Sequence, residues 1–296
     1  MNYRPHEALV APARAYPQLW RLVLGIVLAA GIFLVLTQVL FGTLFGLMQP
    51  DTARALARGA RDGQTAGGML ILLGQLGLLA VSAGIVSVMV HKRQPLTLIG
   101  PFGRAVRQFV AVGLAMIVLL IALGLLPPYD MGEPMRQNMT FGSWLLLLPF
   151  ALLAVLIQSG AEEIFFRGYV QQQLAARFNA PIIWMVVPAV LFGLAHYNPG
   201  SAGSNAVTIA ALATVFGLLM ADLTARAGTL GPAMAIHFFN NVSAIVVIST
   251  PDMMSGLALY VTPFGLGDEA EMAQWLPVSF GFMVVSWLAA RLAIRA

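Results

Sequence analysis

Long apolar runs without charged residues alternate with short polar stretches along most of the chain. Most of these runs reach the roughly 20 residues that a membrane-spanning helix requires, although the two that begin at Pro181 and Asn205 are shorter. The runs are Leu22–Met48, Gly67–Val90, Gln108–Leu126, Phe141–Gly160, Pro181–Ala195, Asn205–Ala221, Ala227–Thr250 and Met272–Ala290. None alternates strictly between apolar and polar positions, and backbone groups in lipid must be hydrogen-bonded within the protein. The pattern therefore predicts an all-α, polytopic membrane helix bundle with about eight transmembrane helices, not a barrel.

Composition supports a membrane protein. Hydrophobic residues make up 59% of the 296 residues and charged residues 9%, whereas soluble domains carry about 25% charged residues. The first apolar run is too long for the apolar region of a cleaved signal peptide, so we expect it to remain as the first helix. The chain has no cysteine, which excludes disulfides and thiolate metal sites. Without an internal repeat or long hydrophilic linker, residues 1–296 are interpreted as a single membrane domain.

Basic residues predict the orientation. If the N-terminus is cytoplasmic and eight helices span the membrane, only four of the 16 Lys and Arg residues fall outside, namely Arg54, Arg58, Arg61 and Arg136. The distribution predicts an integral protein of the cytoplasmic membrane with both termini cytoplasmic. The net charge of +4 indicates contact with the anionic surface of the lipid bilayer and no nucleic-acid partner.

Two adjacent glutamates and an arginine close the fourth run, in SGAEEIFFRGYV (159–170). On a helix, Glu163 precedes Arg167 by four residues, the favourable order for an ion pair. Glu162 is turned about 100° away from Glu163 and has no obvious partner. A carboxylate in a low-dielectric site can serve as a general base, so Glu162 is the candidate for chemistry. Alternatively, both glutamates only solvate the end of the helix.

Of the four histidines, His6 and His91 are expected to decorate the membrane interface. His196 is different. If the fourth helix continues to a turn at Asn179–Pro181, Glu162 and His196 lie at nearly the same height in an antiparallel hairpin, at about 1.5 Å of rise per residue. Matched with a glutamate at equal depth, His196 becomes a candidate for chemistry, although a lone histidine on an apolar face is more often a packing residue.

His237 and Asn241 form another polar pair, in the seventh run. They are four residues apart and share a helix face, so that a ring nitrogen and an amide donor lie side by side. Such a pair can stabilise a developing oxyanion. Asn240 is also near that face. The alternative is that these side chains only hydrogen-bond neighbouring helices.

Three segments together carry a family resemblance: EEIFFRGYVQQQL, LFGLAHYNP and AIHFFNN. They resemble the EExxxR, FxxxH and HxxxN motifs of the CPBP family, the CAAX-protease and bacteriocin-processing intramembrane endopeptidases, which include type II CAAX prenyl proteases. The motifs extend from Glu162 to Asn241, within an expected family core at residues 141–250.

The resemblance implies a role for each matching residue. Glu162 would be the general base that activates water, assisted by the catalytic His196, and Phe192 the aromatic residue one turn before it. His237 and Asn241 would stabilise the oxyanion. Glu163 and Arg167 would be the supporting ion pair. We therefore expect an intramembrane endopeptidase that hydrolyses a peptide bond without a covalent intermediate.

The residues do not determine whether a metal takes part or which substrate is cleaved. Glu162, His196 and His237 could together hold zinc, although the chain has no HExxH helix and the resemblance fits a metal-free glutamate mechanism as well. The expected substrate is a membrane protein or a lipidated peptide, and whether prenylation is recognised is not determined. A non-catalytic scaffold or bacteriocin-immunity protein is an alternative. A proton-coupled transporter is a further one, but it should show inverted repeats.

Overall fold

The computed structural model describes residues 3–126 and 133–295 and is built almost entirely of helices. The α-helices are α1 (Glu7–Val10), α2 (Leu19–Gly46), α3 (Pro50–Asp62), α4 (Ala66–Gln75), α5 (Gly77–His91), α6 (Phe102–Gly124), α7 (Phe141–Glu163), α8 (Gln171–Arg177), α9 (Pro181–Ala195), α10 (Pro199–Ala202), α11 (Ala206–Ala227), α12 (Gly231–Asn241) and α13 (Glu269–Ala293). Two π-helical segments occupy Ile164–Val170 and Val242–Val247. Short 3₁₀ turns lie at Arg4–His6, Ala11–Ala13, Pro95–Leu98 and Gly203–Asn205.

The predicted class, a helical polytopic membrane bundle, is confirmed. Within the described residues, six helical segments are long and apolar enough to cross a membrane: Leu19–Gly46, Ala66–His91, Phe102–Gly124, Phe141–Arg177, Pro199–Ala227 and Glu269–Ala293. Two shorter apolar helices, Pro181–Ala195 and Gly231–Val247, accompany them. The helices thus fall close to the predicted runs, with α3 added in the polar stretch after the first.

One length prediction was wrong. The run beginning at Asn205 belongs to a long helical segment, Pro199–Ala227, whereas the seventh run forms a shorter helix than expected. The break between them is at Gly228, which has a left-handed φ of +67° and ends α11. A side chain there would also meet the backbone of Pro5, so glycine fits both the conformation and the close approach.

The helical stretch from Phe141 to Arg177 positions the two glutamates. Thr140 caps its start by accepting a hydrogen bond from the Ser143 backbone N–H at 3.3 Å. The stretch ends at Arg177, and Pro181 begins α9, so the predicted turn lies where expected. The α geometry changes directly after Glu163, where Ile164–Val170 forms a π turn with wider i→i+5 hydrogen bonding.

The N-terminal segment, residues 3–13, packs against the bundle. Leu9 is fully buried, and the Arg93 guanidinium donates to its carbonyl oxygen at 3.2 Å. His6 is only 4% exposed, and its ring lies 4.7 Å from that of Trp184. His91 is also buried and contacts the Tyr169 hydroxyl at 2.8 Å. The expectation that these two histidines decorate the interface was therefore wrong, because aromatic partners distant in sequence enclose both.

A small three-stranded sheet lies where the second π segment ends. Its order is β1 (Arg136–Gln137), β3 (Tyr260–Val261), β2 (Ile248–Ser249), with β3 antiparallel to β1 and parallel to β2. Tyr260 lies opposite Gln137 on one side and Ile248 on the other. Beside the sheet, Leu257 and Ala258 are buried, so the loop before α13 is fixed to the bundle.

Candidate active site

Glu163 is the fully buried member of the glutamate pair. Its Oε1 accepts a hydrogen bond from Arg167 Nη1 at 2.9 Å, so the ion pair predicted from their spacing is present. The same oxygen lies 2.8 Å from Nδ1 of His237 on α12. The side chains of Glu163 and Arg167 are 0% and 1% exposed, and in such a dry environment charges interact strongly. The arrangement joins α7 to α12 through a buried charged group.

Glu162 has a different environment. Its Oε1 accepts a hydrogen bond from Gln158 Nε2 at 2.8 Å, four residues earlier on α7. Its Oε2 has no hydrogen-bond partner and lies 3.6 Å from His237 Nε2. Because Nδ1 of His237 faces the carboxylate of Glu163, we assign a ring proton to Nδ1, and Nε2 faces Glu162. His237 therefore stands between the two glutamates, with one ring nitrogen toward each.

Asn241 belongs to the same polar group. Its Nδ2 donates to Gln158 Oε1 at 2.7 Å, and its Oδ1 accepts from Asn240 Nδ2 at 3.2 Å. Gln158, which sequence reasoning missed, thus connects Glu162 to Asn241. The available signal was its spacing of four residues from Glu162, an amide in an otherwise apolar stretch.

His196 lies at the edge of this group. It follows the last residue of α9 and is exposed, and its Nδ1 lies 2.8 Å from the Phe192 carbonyl oxygen. Among the described residues, no hydrogen bond or ion pair connects His196 to Glu162. The ring of Phe192 instead contacts both histidines, with centroid distances of 4.4 Å to His196 and 5.9 Å to His237. Of the four predicted catalytic side chains, three therefore form one polar group and His196 reaches it through an aromatic contact.

Aromatic side chains form the wall around His237. Phe216 contacts its ring edge to face at 5.1 Å and also lies 6.0 Å from Phe192. The Arg167 guanidinium is stacked 4.7 Å from the centre of the Phe192 ring. Phe192, which was predicted only as the aromatic residue before His196, thus contacts Arg167, His196 and His237.

Comparisons with known proteins agree with the three motifs. Residues 143–243 match the family model described as type II CAAX prenyl endopeptidase Rce1-like. This chain carries an Rce1-like domain. The matched residues include every member of the polar group, and the resemblance inferred from the motifs is confirmed.

The chain also has a relative among curated proteins. The uncharacterized protein YyaK of Bacillus subtilis (strain 168) is 27% identical over 120 residues, which cover 40% of this chain and 40% of that protein. The similarity thus spans less than half of either chain. No solved structure matches this one.

A cavity of about 670 Å³ opens beside the polar group of the Rce1-like domain. Asn240 and Ser243 contribute polar groups to it, and Leu120 on α6 and Phe282 on α13 are among its apolar residues. Asn240 also donates to Asn241, so the cavity adjoins the site. The cavity next to the candidate catalytic residues is therefore lined mainly by apolar side chains.

The three candidate zinc ligands of the Rce1-like domain are not gathered into a metal site. Across residues 3–126 and 133–295, no group of three or more His, Cys, Asp or Glu side chains is arranged to hold a metal ion. Nδ1 of His237 faces Glu163, and Nδ1 of His196 faces the Phe192 carbonyl oxygen, so neither of these ring nitrogens is directed at a site shared with Glu162. The arrangement of these side chains does not fit zinc.

Proposed function

We propose that this protein is an intramembrane endopeptidase that hydrolyses a peptide bond of a membrane-associated or lipidated protein, with Glu162 as the base that activates water. The observation that carries the proposal is the contrast between the two oxygens of Glu162 in a side chain that is 12% exposed, whereas Glu163, whose Oε2 also lacks a partner, is fully buried. Oε1 is held by Gln158, whereas Oε2 is buried without a hydrogen-bond partner and faces His237. An oriented carboxylate with one unpartnered oxygen is suited to accept a proton from water.

The proposed reaction needs no covalent intermediate. Glu162 Oε2 takes a proton from water, and the hydroxide attacks the scissile carbonyl carbon. His237, protonated on both ring nitrogens, and the second Nδ2 hydrogen of Asn241 then donate to the oxyanion. Collapse of the tetrahedral intermediate breaks the C–N bond, and Glu162 returns the proton to the leaving amine. His196 donates Nδ1–H to the Phe192 carbonyl, which leaves Nε2 as an acceptor that can assist the base.

The neighbouring cavity supports a membrane-derived substrate. Its mainly apolar lining suits a lipid chain or an apolar peptide segment, and its polar residue Asn240 adjoins the catalytic group. The family description, type II CAAX prenyl endopeptidase, makes a prenylated C-terminal peptide the first probe.

The test compares cleavage of a quenched farnesylated CAAX peptide and its unprenylated counterpart by protein reconstituted in liposomes. Glu162→Gln should lower the cleavage rate by about 100- to 10,000-fold, the range for loss of a general base, while leaving the melting temperature nearly unchanged. Glu271→Gln, at an exposed glutamate, is the matched control and should retain activity. Wild-type rates in Glu162→Gln would refute the proposed role, and cleavage of neither peptide by folded wild type would favour the scaffold alternative.

A further inference from the structure

Four side chains of the site form a chain of hydrogen bonds that all run in one direction. Asn240 Nδ2 donates to Asn241 Oδ1, Asn241 Nδ2 donates to Gln158 Oε1, and Gln158 Nε2 donates to Glu162 Oε1. The distances are 3.2, 2.7 and 2.8 Å. Asn241 and Gln158 thus each use the amide oxygen to accept from one neighbour and the amide nitrogen to donate to the next.

The carboxylate at the end of the chain determines this direction. An ionised Glu162 can only accept, so Gln158 must turn its nitrogen toward it. Gln158 then presents its oxygen to Asn241, and Asn241 in turn must present its nitrogen. An amide side chain can be reversed at little cost in shape, so the hydrogen-bond partners decide which end faces the reaction.

We propose that Gln158 is a positioning residue of the hydrolysis: it uses the ionised carboxylate of Glu162 to fix the amide of Asn241 with its nitrogen toward the reacting carbonyl. The inference rests on the proposed function and adds a residue outside the three motifs. One Nδ2 hydrogen of Asn241 binds Gln158, and the second is left for the oxyanion. A reversed amide would turn Oδ1 toward the oxyanion and repel it.

The simpler explanation is that Gln158 only fills a buried polar position. Gln171 offers a matched control, because it lies in the same continuous helical stretch, is fully buried, and donates to the Ala221 backbone oxygen at 3.2 Å without contacting the site. Replacing either glutamine by methionine removes an amide and nearly preserves volume. The two substitutions therefore share a structural cost and differ in the proposed positioning role.

The first experiment measures kcat and KM for the farnesylated peptide. Gln158→Met should lower kcat by about 10- to 100-fold with little change in KM, the loss expected when a reacting group is misplaced. Gln171→Met should retain kcat per folded molecule even if its melting temperature falls. Equal effects of the two substitutions on kcat would overturn the positioning role. Failure of wild type to cleave would instead count against the proposed function.

Gln158→Glu provides a pH-dependent test. When protonated, the introduced carboxyl group can still donate to Glu162 and accept from Asn241, but after it loses that proton two like charges face each other. We expect the kcat of Gln158→Glu to begin to fall at a lower pH than the kcat of wild type. The loss should reach at least 10-fold within the pH range in which the wild-type kcat is constant. A profile parallel to that of wild type would contradict the proposal.

A readout without substrate separates this inference from catalysis. In protein labelled with ¹⁵N at asparagine side chains, the Asn241 amide resonance, assigned with Asn241→Ala, should shift as Glu162 titrates. The shift should disappear in Glu162→Gln, which has no charge to transmit, and in Gln158→Met, which lacks the connecting amide. It should persist in Gln171→Met. An unchanged titration in Gln158→Met would show that Gln158 does not connect the two residues.

Discussion

Two acidic regions of the bundle differ in how completely their oxygens are hydrogen-bonded. On α11, Asp222 accepts from Tyr3, Arg226 and Trp287 at 2.8 to 3.0 Å, and both of its oxygens have donors. In the candidate active site, Glu162 accepts one hydrogen bond and its second oxygen has no partner. The first region has the features of an anchor that holds the N-terminal segment. In the second, Oε2 of both Glu162 and Glu163 lacks a donor, and Glu162, the glutamate whose side chain is partly exposed, keeps the free acceptor that a reaction centre needs.

The largest expected effect comes from breaking the equivalent acid–arginine pair in each region. Arg167→Ala leaves Glu163 buried without its guanidinium partner, which should lower the free energy of unfolding by roughly 3 to 5 kcal/mol and reduce activity as well. Arg226→Ala leaves Asp222 with the donors Tyr3 and Trp287, so the loss should be about 1 to 3 kcal/mol.

Thermal melts of both variants in the same detergent test this difference. A greater loss of melting temperature in Arg226→Ala would mean that breaking the Asp222–Arg226 pair on α11 costs more stability than breaking the Glu163–Arg167 pair.

A smaller effect should appear when the N-terminal segment is titrated. Burial lowers the pKa of His6 from 6.5 to about 4. Below pH 6.5 the unfolded chain gains a proton that folded His6 does not, so stability should fall between pH 6.5 and about 4, by about 3 kcal/mol at most. His6→Leu cannot ionise and should show a weaker loss across the same range. Identical pH dependence of the melting temperature in both proteins would contradict the assignment to His6.

The smallest of the three predicted effects separates the two asparagines of the site. Asn241→Ala should lower kcat by about 100-fold with substrate binding nearly intact, because it removes a donor to charge that develops in the transition state. Asn240→Ala should do much less, since this side chain contacts Asn241 and the apolar cavity but not Gln158 or Glu162. Kinetics with the farnesylated peptide test the pair. Equal small effects would indicate two packing residues, and weaker binding with an unchanged saturated rate would indicate that Asn241 docks substrate.

The structural features that could be predicted from the sequence depend on residues that are near one another along the chain. The spacing of Glu163 and Arg167 predicted their ion pair, and Asn179–Pro181 predicted the turn after α8, because both depend on a few adjacent residues. The spacing of His237 and Asn241 likewise placed both on the side of α12 that faces α7.

Other features depend on partners far along the chain and could not be read in that way. A neutral amide such as Gln158 in an apolar run resembles any packing residue until the Asn241 partner is known. The burial of His6 depends on Trp184, which is distant in sequence. His196 follows the end of α9 at Ala195 and contacts the Phe192 carbonyl, and rise per residue estimates height without fixing the direction of a side chain after a helix end.

The helices that carry the glutamate pair and the His237–Asn241 pair change to π geometry just after these residues, at Ile164–Val170 after Glu163 and at Val242–Val247 after Asn241. A π turn holds more residues than an α turn, so each stretch contains an excess relative to a regular helix. Evolutionary loss of one residue there would rotate everything that follows by about 100°. The buried residues Gln171–Gln173 would then face other neighbours, although Glu162 and Glu163, which precede the turn, kept their places. In alignments of distant relatives, a one-residue gap at either place therefore marks a change of helix face, and the segments before and after it should be aligned separately.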